Sequence, residues 1–387
     1  MLLIAGETIR SSGVLNDVVR EMNFTLSFFA SPAKLKELMS GQSRRIVLLT
    51  EADVTSETLR TLCAAADSTP FAVLVAADRS SLRSSKQAEL VDQLASLENI
   101  EWVGGSFDFD GLSSSARRCR RRMLKVSRQD LEDAFERSEF VLRYQPKVER
   151  SAGNEWLARE AEALVRWHSP SYGLMGPLEF LPEIEAFELM ADLNQYVLRE
   201  AADQLVAWTR KGIELNSCIN LASSLLSDPD LPATCASIVE AAGLDCSRFT
   251  FEVIEQDLTT PDAPHIKTLH ALREKGFRIC LDDFRVAASS LGTFEQLPLD
   301  EIKIHASALK RGQRDKVAQT VLAAVTGLAH NLGMSVCAEG VEDDATFEFL
   351  KTIECDKMQG FLISEAVLPN IIRQVYLASD DKGEEVA

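Results

Sequence analysis

None of the eight cysteines sits in a CxxC pair. Cys63, Cys119, Cys218, Cys235, Cys246, Cys280, Cys337 and Cys355 are scattered, several in apolar runs such as Arg278-Ile279-Cys280-Leu281. That pattern argues against a thiolate zinc site or a disulfide framework and for buried free thiols in a reducing compartment. No apolar run approaches the ~18–20 residues of a membrane helix. Met1-Leu2-Leu3-Ile4-Ala5 is too short for a signal peptide and lacks a basic leader, so a cytoplasmic protein is expected. Basic charge is scarce: 41 Lys and Arg stand against 59 Asp and Glu, a formal net charge of −18. A general nucleic-acid binder usually carries a basic face, so this balance argues against one, but not against a small anionic ligand held through metal.

What is present suits a globular protein. The 387 residues are 26% charged and 46% hydrophobic. At ~100–200 residues per domain this is two or three domains, each able to bury a core without disulfides.

Residues 1–125 alternate strand and helix. Leu2–Ala5, Thr25–Phe29, Arg45–Leu49, Phe71–Ala76 and Ile100–Val103 are strand candidates, and Ser12–Met22 has helical periodicity. A parallel, doubly wound α/β domain of flavodoxin-like type is expected. The order resembles a response-regulator receiver, with Gly104–Leu112 where receivers carry a Lys-Pro-Phe turn. A receiver's chemistry is missing. Gly6 and Glu7 follow the first strand in place of an acidic pair. Thr50 replaces the phospho-accepting Asp, Gly105 the Lys, and Ala76 or Ala77 the hydroxyl residue. The resemblance implies a pseudo-receiver without an acyl-phosphate; any small flavodoxin-like domain is the other reading. The basic run Arg117-Arg118-Cys119-Arg120-Arg121-Arg122 is read as the solvated C-terminal end of a helix rather than a nucleic-acid or membrane contact. A helical linker over 126–138 follows.

From Phe140 onward strand and helix repeat. Eight strand candidates run from Val141–Val148 to Lys357–Ile363. That many over about 240 residues is the size of a parallel (β/α)8 barrel of TIM type. The barrel is placed at 139–375 and a polar tail at 376–387. Short polar motifs stand near the strand ends: Glu162-Ala163-Leu164, Ile219-Asn220-Leu221, Phe251–Glu255, Leu281-Asp282-Asp283-Phe284, Lys303-Ile304-His305 and Ala338–Glu342. A barrel brings such ends to one mouth. Glu162, Asn220, Glu252 and Asp282, with Asp283 beside them, offer oxygen donors only, a set for Mg2+ or Mn2+ rather than structural zinc. Two ions ~3.5–4 Å apart hold a phosphate and generate hydroxide. Lys303 and Glu339 are the candidate catalytic pair. Gln145, Leu164, Arg166 and Gln359 are candidate ligand contacts, Arg166 sharing Glu162's strand face because the period is two. Glu255 and Glu342 read as supports.

These motifs, with Tyr144-Gln145-Pro146, Phe180–Glu185, Ser289-Ser290-Leu291, Leu297-Pro298 and Gln359-Gly360 in order, resemble the EAL family of cyclic di-GMP phosphodiesterases over roughly residues 128–370. The resemblance implies a barrel that binds cyclic di-GMP and, in active members, opens it to pGpG with two Mg2+ or Mn2+ ions. Several positions depart from the family. Arg285-Val286-Ala287-Ala288 replaces Gly-Thr-Gly-Tyr, His305 ends what should be Lys-Ile-Asp, Ile254 replaces Thr, Glu188 replaces Gly and Ala366 replaces Pro. Losses of supporting contacts commonly cost ~10–100-fold in metal affinity or activity. The expectation is a cyclic di-GMP signalling protein with a degenerate EAL domain that binds cyclic di-GMP or a protein partner, with weak or absent hydrolysis; the other reading is an active phosphodiesterase. A homodimer, or a protein partner at the receiver-like domain, is also expected.

Overall fold

The computed structural model describes residues 2–22, 24–40, 45–66, 71–76, 100–103, 109–124, 126–151, 155–254, 263–284, 297–312, 315–374 and 376. The chain divides into two compact units: Met1–Phe140 with Arg166–Phe187, and Val141–Val165 with Glu188–Ala387.

The first unit holds a five-stranded parallel sheet. Its strands are β1 (Leu2–Gly6), β2 (Thr25–Phe29), β3 (Arg45–Thr50), β4 (Phe71–Ala76) and β5 (Ile100–Val103), in the order β2-β1-β3-β4-β5. The apolar runs explain the burial. Leu3, Ala5, Ile46, Leu48 and Leu74 face one core with Leu15, Val18 and Leu112, while Ile4, Val47, Leu49, Val73 and Val75 face the other with Leu35, Leu59 and Leu62. Sheets covered on both faces need such continuous runs. The order is that of a flavodoxin-like sheet, whose ligand crevice opens at the ends of β1 and β3. There Thr50 donates from its backbone N (2.9 Å) and its hydroxyl (2.7 Å) to Asp53 Oδ2. A Cβ on Gly6 would lie 2.2 Å from that carboxylate oxygen. The absence of a side chain at 6 is what lets Asp53 fold back over the strand ends.

The same unit contains the helix Arg128–Glu136, with a Ser127/Asp130 capping box, and the segment Arg166–Phe187. Phe140 packs on Phe135, Trp167 and Phe180 at centroid distances of 4.8, 5.7 and 5.5 Å. The solvated reading of the basic run is corrected at Arg120. It is 5% exposed, and its guanidinium donates to the carbonyls of Tyr172 (2.8 Å) and Leu174 (3.1 Å) and stands 3.2 Å from Glu179 Oε1. The sequence shows the cation but not what covers its helix face.

The second unit carries most of a barrel, two of whose strands extend into residues of the first (Phe140 and Arg166–Ser169). Its strands are β6 (Phe140–Arg150), β7 (Trp156–Ser169), β9 (Asn216–Asn220), β10 (Phe249–Ile254), β11 (Arg278–Phe284), β12 (Glu301–Ile304), β13 (Ser335–Ala338) and β14 (Lys357–Met358); β8 (Gly173–Met175) pairs with the far end of β7. The order β6-β14-β13-β12-β11-β10-β9-β7-β8, closed by a β6–β7 pairing, makes an eight-stranded ring with β8 outside it. One expectation needs correction. The ring is not parallel throughout, because β6 runs antiparallel to β14. Within the ring the pairings from β7 through β9 to β14 are parallel, and β8 outside it is antiparallel to β7. Strand periodicity carries no direction, so the sequence left this open. Among the described residues no helix is long and apolar enough to cross a membrane, and seven described cysteines are free and buried.

Candidate functional site

Alternation places polar side chains inside the barrel. The neighbouring apolar residues (Val253, Ile279, Leu281, Ile302, Val336) are buried on the other strand face. Inside stand Lys147, Glu160, Glu162, Cys218, Glu252, Cys280, Glu301, Lys303, Cys337, Lys357 and Gln359, all buried. Barrels of this kind are usually filled with branched aliphatic residues. Buried charge survives only if paired, and here it is.

In the deeper layer Lys147 Nζ lies 2.6 Å from Glu252 Oε1, 3.1 Å from Cys218 Sγ, 3.8 Å from Glu301 and 3.9 Å from Glu160. Lys357 Nζ meets Glu160 (2.9 Å) and Glu301 (2.7 Å). Thr250 and Ser335 hydroxyls donate to Glu160 and Glu301. Lys147, Glu160, Glu301 and Lys357 were missed in the sequence. The signal was the period-two stripe in Glu160-Ala161-Glu162 and Glu301-Ile302-Lys303.

Above this layer Lys303 is the hub. Its ammonium stands 3.0 Å from Glu162 Oε2, 3.1 Å from Glu252 Oε2, 3.5 Å from Asp282 Oδ1 and 3.7 Å from Glu339 Oε2. Glu162 also accepts from Asn220 Nδ2 (2.9 Å) and Gln359 Nε2 (2.8 Å). Gln359 donates as well to Gln145 Oε1 (3.0 Å), and Gln145 Nε2 to Ser364 O (3.1 Å). Expected site residues from six strands therefore converge. Leu164 and Arg166 are half-buried farther along β7, and Glu342 is exposed. Glu255 and Arg285, Val286, Ala287 and Ala288 lie outside the described residues.

Electrostatics splits the carboxylates. Burial works against the Glu162 anion, but Lys303 and Lys147 hold that carboxyl well below the usual range. Burial, reinforced by the Glu162 charge, pushes Glu252 up to about 7 against the pull of Lys147 and Lys303. Burial also raises Glu339, with Lys303 opposing. For Lys303 burial favours the neutral amine; Glu162, Glu252 and Asp282 overcome it and hold the proton firmly.

Asp282 and Asp283 sit on a β-bulge where Leu281 pairs with Ile302 but Phe284 with Ile304. Asp283 has φ +55, a left-handed backbone that is strained outside glycine. Bulges of this kind re-aim side chains next to active sites. Among the described residues Asp282 Oδ1 is buried with no hydrogen-bond partner and has the longer contact to Lys303. An oxygen left this way, among all-oxygen donors, fits a hard cation. The carboxylates are nonetheless gathered on Lys303. Among the described residues no three His, Cys, Asp or Glu groups are spaced to enclose an ion.

His305 is oriented by the turn it opens. Its Nδ1 accepts from the Ser307 backbone N (3.1 Å) and lies 2.8 Å from Ser307 Oγ. A donor at Nδ1 puts the proton on Nε2, which faces Asp283 Oδ1 (3.6 Å) and Glu339 Oε1 (3.7 Å). This imidazole offers the acidic pair an N–H, not a lone pair.

Gly360 fixes Gln359 in place. A Cβ there would lie 2.2 Å from both Val341 N and Val341 O, and the Val341 N–H donates to Gln359 O (3.0 Å). Backbone cannot yield as a side-chain tip can. Gly360→Ala should lower stability by ~1–3 kcal/mol, the usual range for overpacking, visible in thermal denaturation; an unchanged midpoint would mean this turn shifts freely.

A family model described as the EAL domain matches residues 128–366. An uncharacterized signaling protein of Caulobacter vibrioides is 35% identical over 246 residues, 64% of this chain and 29% of its own length. A cyclic di-GMP phosphodiesterase of Pseudomonas aeruginosa is 34% identical over 230 residues, 59% of this chain and 39% of its own. Roughly a third of the length of such curated relatives is spanned. Among solved structures, the PaMucR phosphodiesterase in its c-di-GMP complex matches at TM-score 0.57 and 30% identity, over 63% of this chain and 98% of that one. An EAL domain protein from Listeria monocytogenes EGD-e matches at TM-score 0.56 and 26% identity, over 66% and 99%.

Proposed function

The chain belongs to the EAL domain family, and on that premise we propose that it is a cyclic di-GMP signalling protein whose barrel binds the dinucleotide with weak or absent hydrolysis. The observation that carries this reading is the Nε2–H of His305 facing Asp283 and Glu339. Where the family pattern supplies a carboxylate, this chain supplies an imidazole, which can still ligate a transition metal but is a poor ligand for a second Mg2+.

Glu162, Asn220, Glu252 and Asp282 would hold one Mg2+ or Mn2+, with Asp283 beside them. The ion supplies Lewis-acid polarisation of a phosphate and acidifies bound water. The chain's own part is positional. Gln359 and Asn220 clamp both oxygens of Glu162, and Lys147 and Lys303 take Oε1 and Oε2 of Glu252. Lys303 carries the fixed positive charge, and Glu339, biased toward its protonated form, is placed to give or take a proton. Gln145, Leu164 and Arg166 line the approach as ligand contacts. The first unit, with flavodoxin-like strand order and Thr50 tied to Asp53, acts as a receiver-like domain that takes no phosphoryl group, open to a second copy or a protein partner.

A second reading, a working phosphodiesterase producing pGpG, is favoured by the convergence of Glu162, Glu252, Asp282 and Lys303 at 3.0–3.5 Å. One titration of the full chain with cyclic di-GMP separates them, by calorimetry in Mg2+, Mn2+ or Ca2+ with chromatography of products. Saturable heat with little pGpG is expected, with affinity weakened at least ~100-fold in Glu162→Gln. Rapid pGpG formation abolished by Glu162→Gln replaces the proposal with the second reading. No heat under any cation removes dinucleotide binding altogether.

A further inference from the structure

We propose that Arg120 is a positioning residue for the barrel site, clamping the outer end of the strand that carries Glu162. Arg120 lies on the helix Phe109–Met123, far in sequence from any EAL motif. Its hydrogen bonds to Tyr172 O and Leu174 O and its ion pair with Glu179 Oε1 all fall in the excursion Arg166–Phe187, while its guanidinium also lies 5.8 Å from the Phe24 ring centroid. Both members of the ion pair are nearly inaccessible, with side chains 6% and 4% exposed. A buried charge with a single fitted set of partners fixes geometry, because any other placement strands the charge.

One guanidinium thereby ties three points of the excursion together. Leu174, whose carbonyl it holds, pairs with His168 at the end of β7. Glu179 accepts from the Gly176 N–H with its other oxygen (2.8 Å), setting the start of the helix Pro177–Ala186. Neighbouring bonds extend the clamp. The Tyr172 hydroxyl donates to Asp130 (3.0 Å), Arg128 to Phe187 O (2.6 Å) and Trp167 Nε1 to Glu139 (2.9 Å).

The lever is β7 itself. It runs unbroken from Trp156 to Ser169, so Glu162, Arg166 and the clamped His168 share one extended backbone. At ~3.3 Å per residue, Glu162 and His168 are about 20 Å apart along it. A pleated strand transmits displacement along its length, since slipping by one residue would turn every side chain to the opposite face. Loosening Arg120 therefore relaxes Glu162 and Arg166 without touching either. The dinucleotide reading enters only through the affinity measurement below; the exchange measurement stands without it.

Hydrogen exchange by mass spectrometry on the full chain tests this, comparing wild type, Arg120→Met, Arg120→Lys, Glu179→Gln and Arg118→Met. Arg118 shares the helix but pairs with Glu101 (2.7 Å) and serves as control. Arg120→Met should speed exchange about tenfold across 169–176 and also across 161–166, a local opening that spreads along the strand. Cyclic di-GMP affinity should fall about five- to tenfold, the coupling typical of positions outside a site. Arg120→Lys keeps the charge but not the fork, and should rescue only partly. Arg118→Met should match wild type in both. If Arg120→Met does not fold, Glu179→Gln, which keeps every backbone contact of Arg120, carries the same comparison. Faster exchange confined to 169–176, with 161–166 and affinity at wild-type values, overturns the proposal. Should wild type bind no dinucleotide, the proposed function fails and exchange at 161–166 alone decides the clamp.

Discussion

Replacing Lys147 by methionine should destabilise the barrel by ~3–5 kcal/mol, a shift of roughly 10²–10³ or more in its unfolding equilibrium. The side chain is fully buried, and its ammonium is the only cation within 4 Å of Glu252 besides Lys303 among the described residues. Methionine fills the space but leaves Glu252 with only a share of Lys303, which also serves Glu162, Asp282 and Glu339, and leaves Glu160 and Glu301 to Lys357 and the more distant Arg278. A buried carboxylate stripped of its partner must stay uncompensated or take up a proton, and either is expensive. Urea unfolding followed by tryptophan fluorescence gives the loss directly. The double variant Lys147→Met with Glu252→Gln should recover a substantial part of it, since the orphaned charge goes with its partner. Arg137→Ala, which removes an exposed i,i+4 pair with Asp133, should change stability by less than ~0.5 kcal/mol. A Lys147→Met cost no larger than the Arg137→Ala one would show that the interior charges are solvated and do not act as a unit.

That interior marks the boundary of what the sequence made legible. The rim was readable because Glu162, Asn220, Glu252, Asp282 and Lys303 stand on separate strands in a repeated arrangement, and a barrel brings such positions to one mouth. The layer beneath was not. A single Lys147 or Lys357 in a short strand looks like a solvent-facing residue until the ring closes and alternate positions turn inward. Nothing in the sequence around Arg120 hints that a hairpin some fifty residues onward covers its guanidinium. Glu188 shows the converse. Its replacement of a family glycine reads as a loss, yet the residue still holds φ +58, so the backbone keeps the turn and bears the strain instead. The direction of β6 was beyond reach for a simpler reason, since a two-residue period is the same in both directions.

The second large effect is expected from the departures themselves. His305→Asp, combined with Arg285→Gly, Val286→Thr, Ala287→Gly and Ala288→Tyr, should raise bound Mn2+ from one ion per chain to two and increase pGpG formation by ~100-fold or more, since several supporting losses are repaired at once. The physical argument starts from His305. Its Nε2 stands 3.6 and 3.7 Å from Asp283 and Glu339, close enough to lie between them without a hydrogen bond to either. Aspartate there removes the donor and adds a third negative charge, so without metal the three carboxylates repel one another. The variant should melt lower than wild type in chelator and gain more than wild type on adding Mn2+, because an ion that binds only the folded state stabilises it in proportion to its affinity. Electron paramagnetic resonance of Mn2+ counts the ions and detects coupling between a close pair, so the result does not hang on activity. Two ions already present in wild type would remove the role given to His305. A variant that still holds one ion, melts no lower in chelator and forms no more pGpG would show that the imidazole is not what limits the site, and the cause would have to be sought elsewhere in the mouth, with Ile254 at the end of β10, 40% exposed and paired in register with Asp282, the next residue to restore.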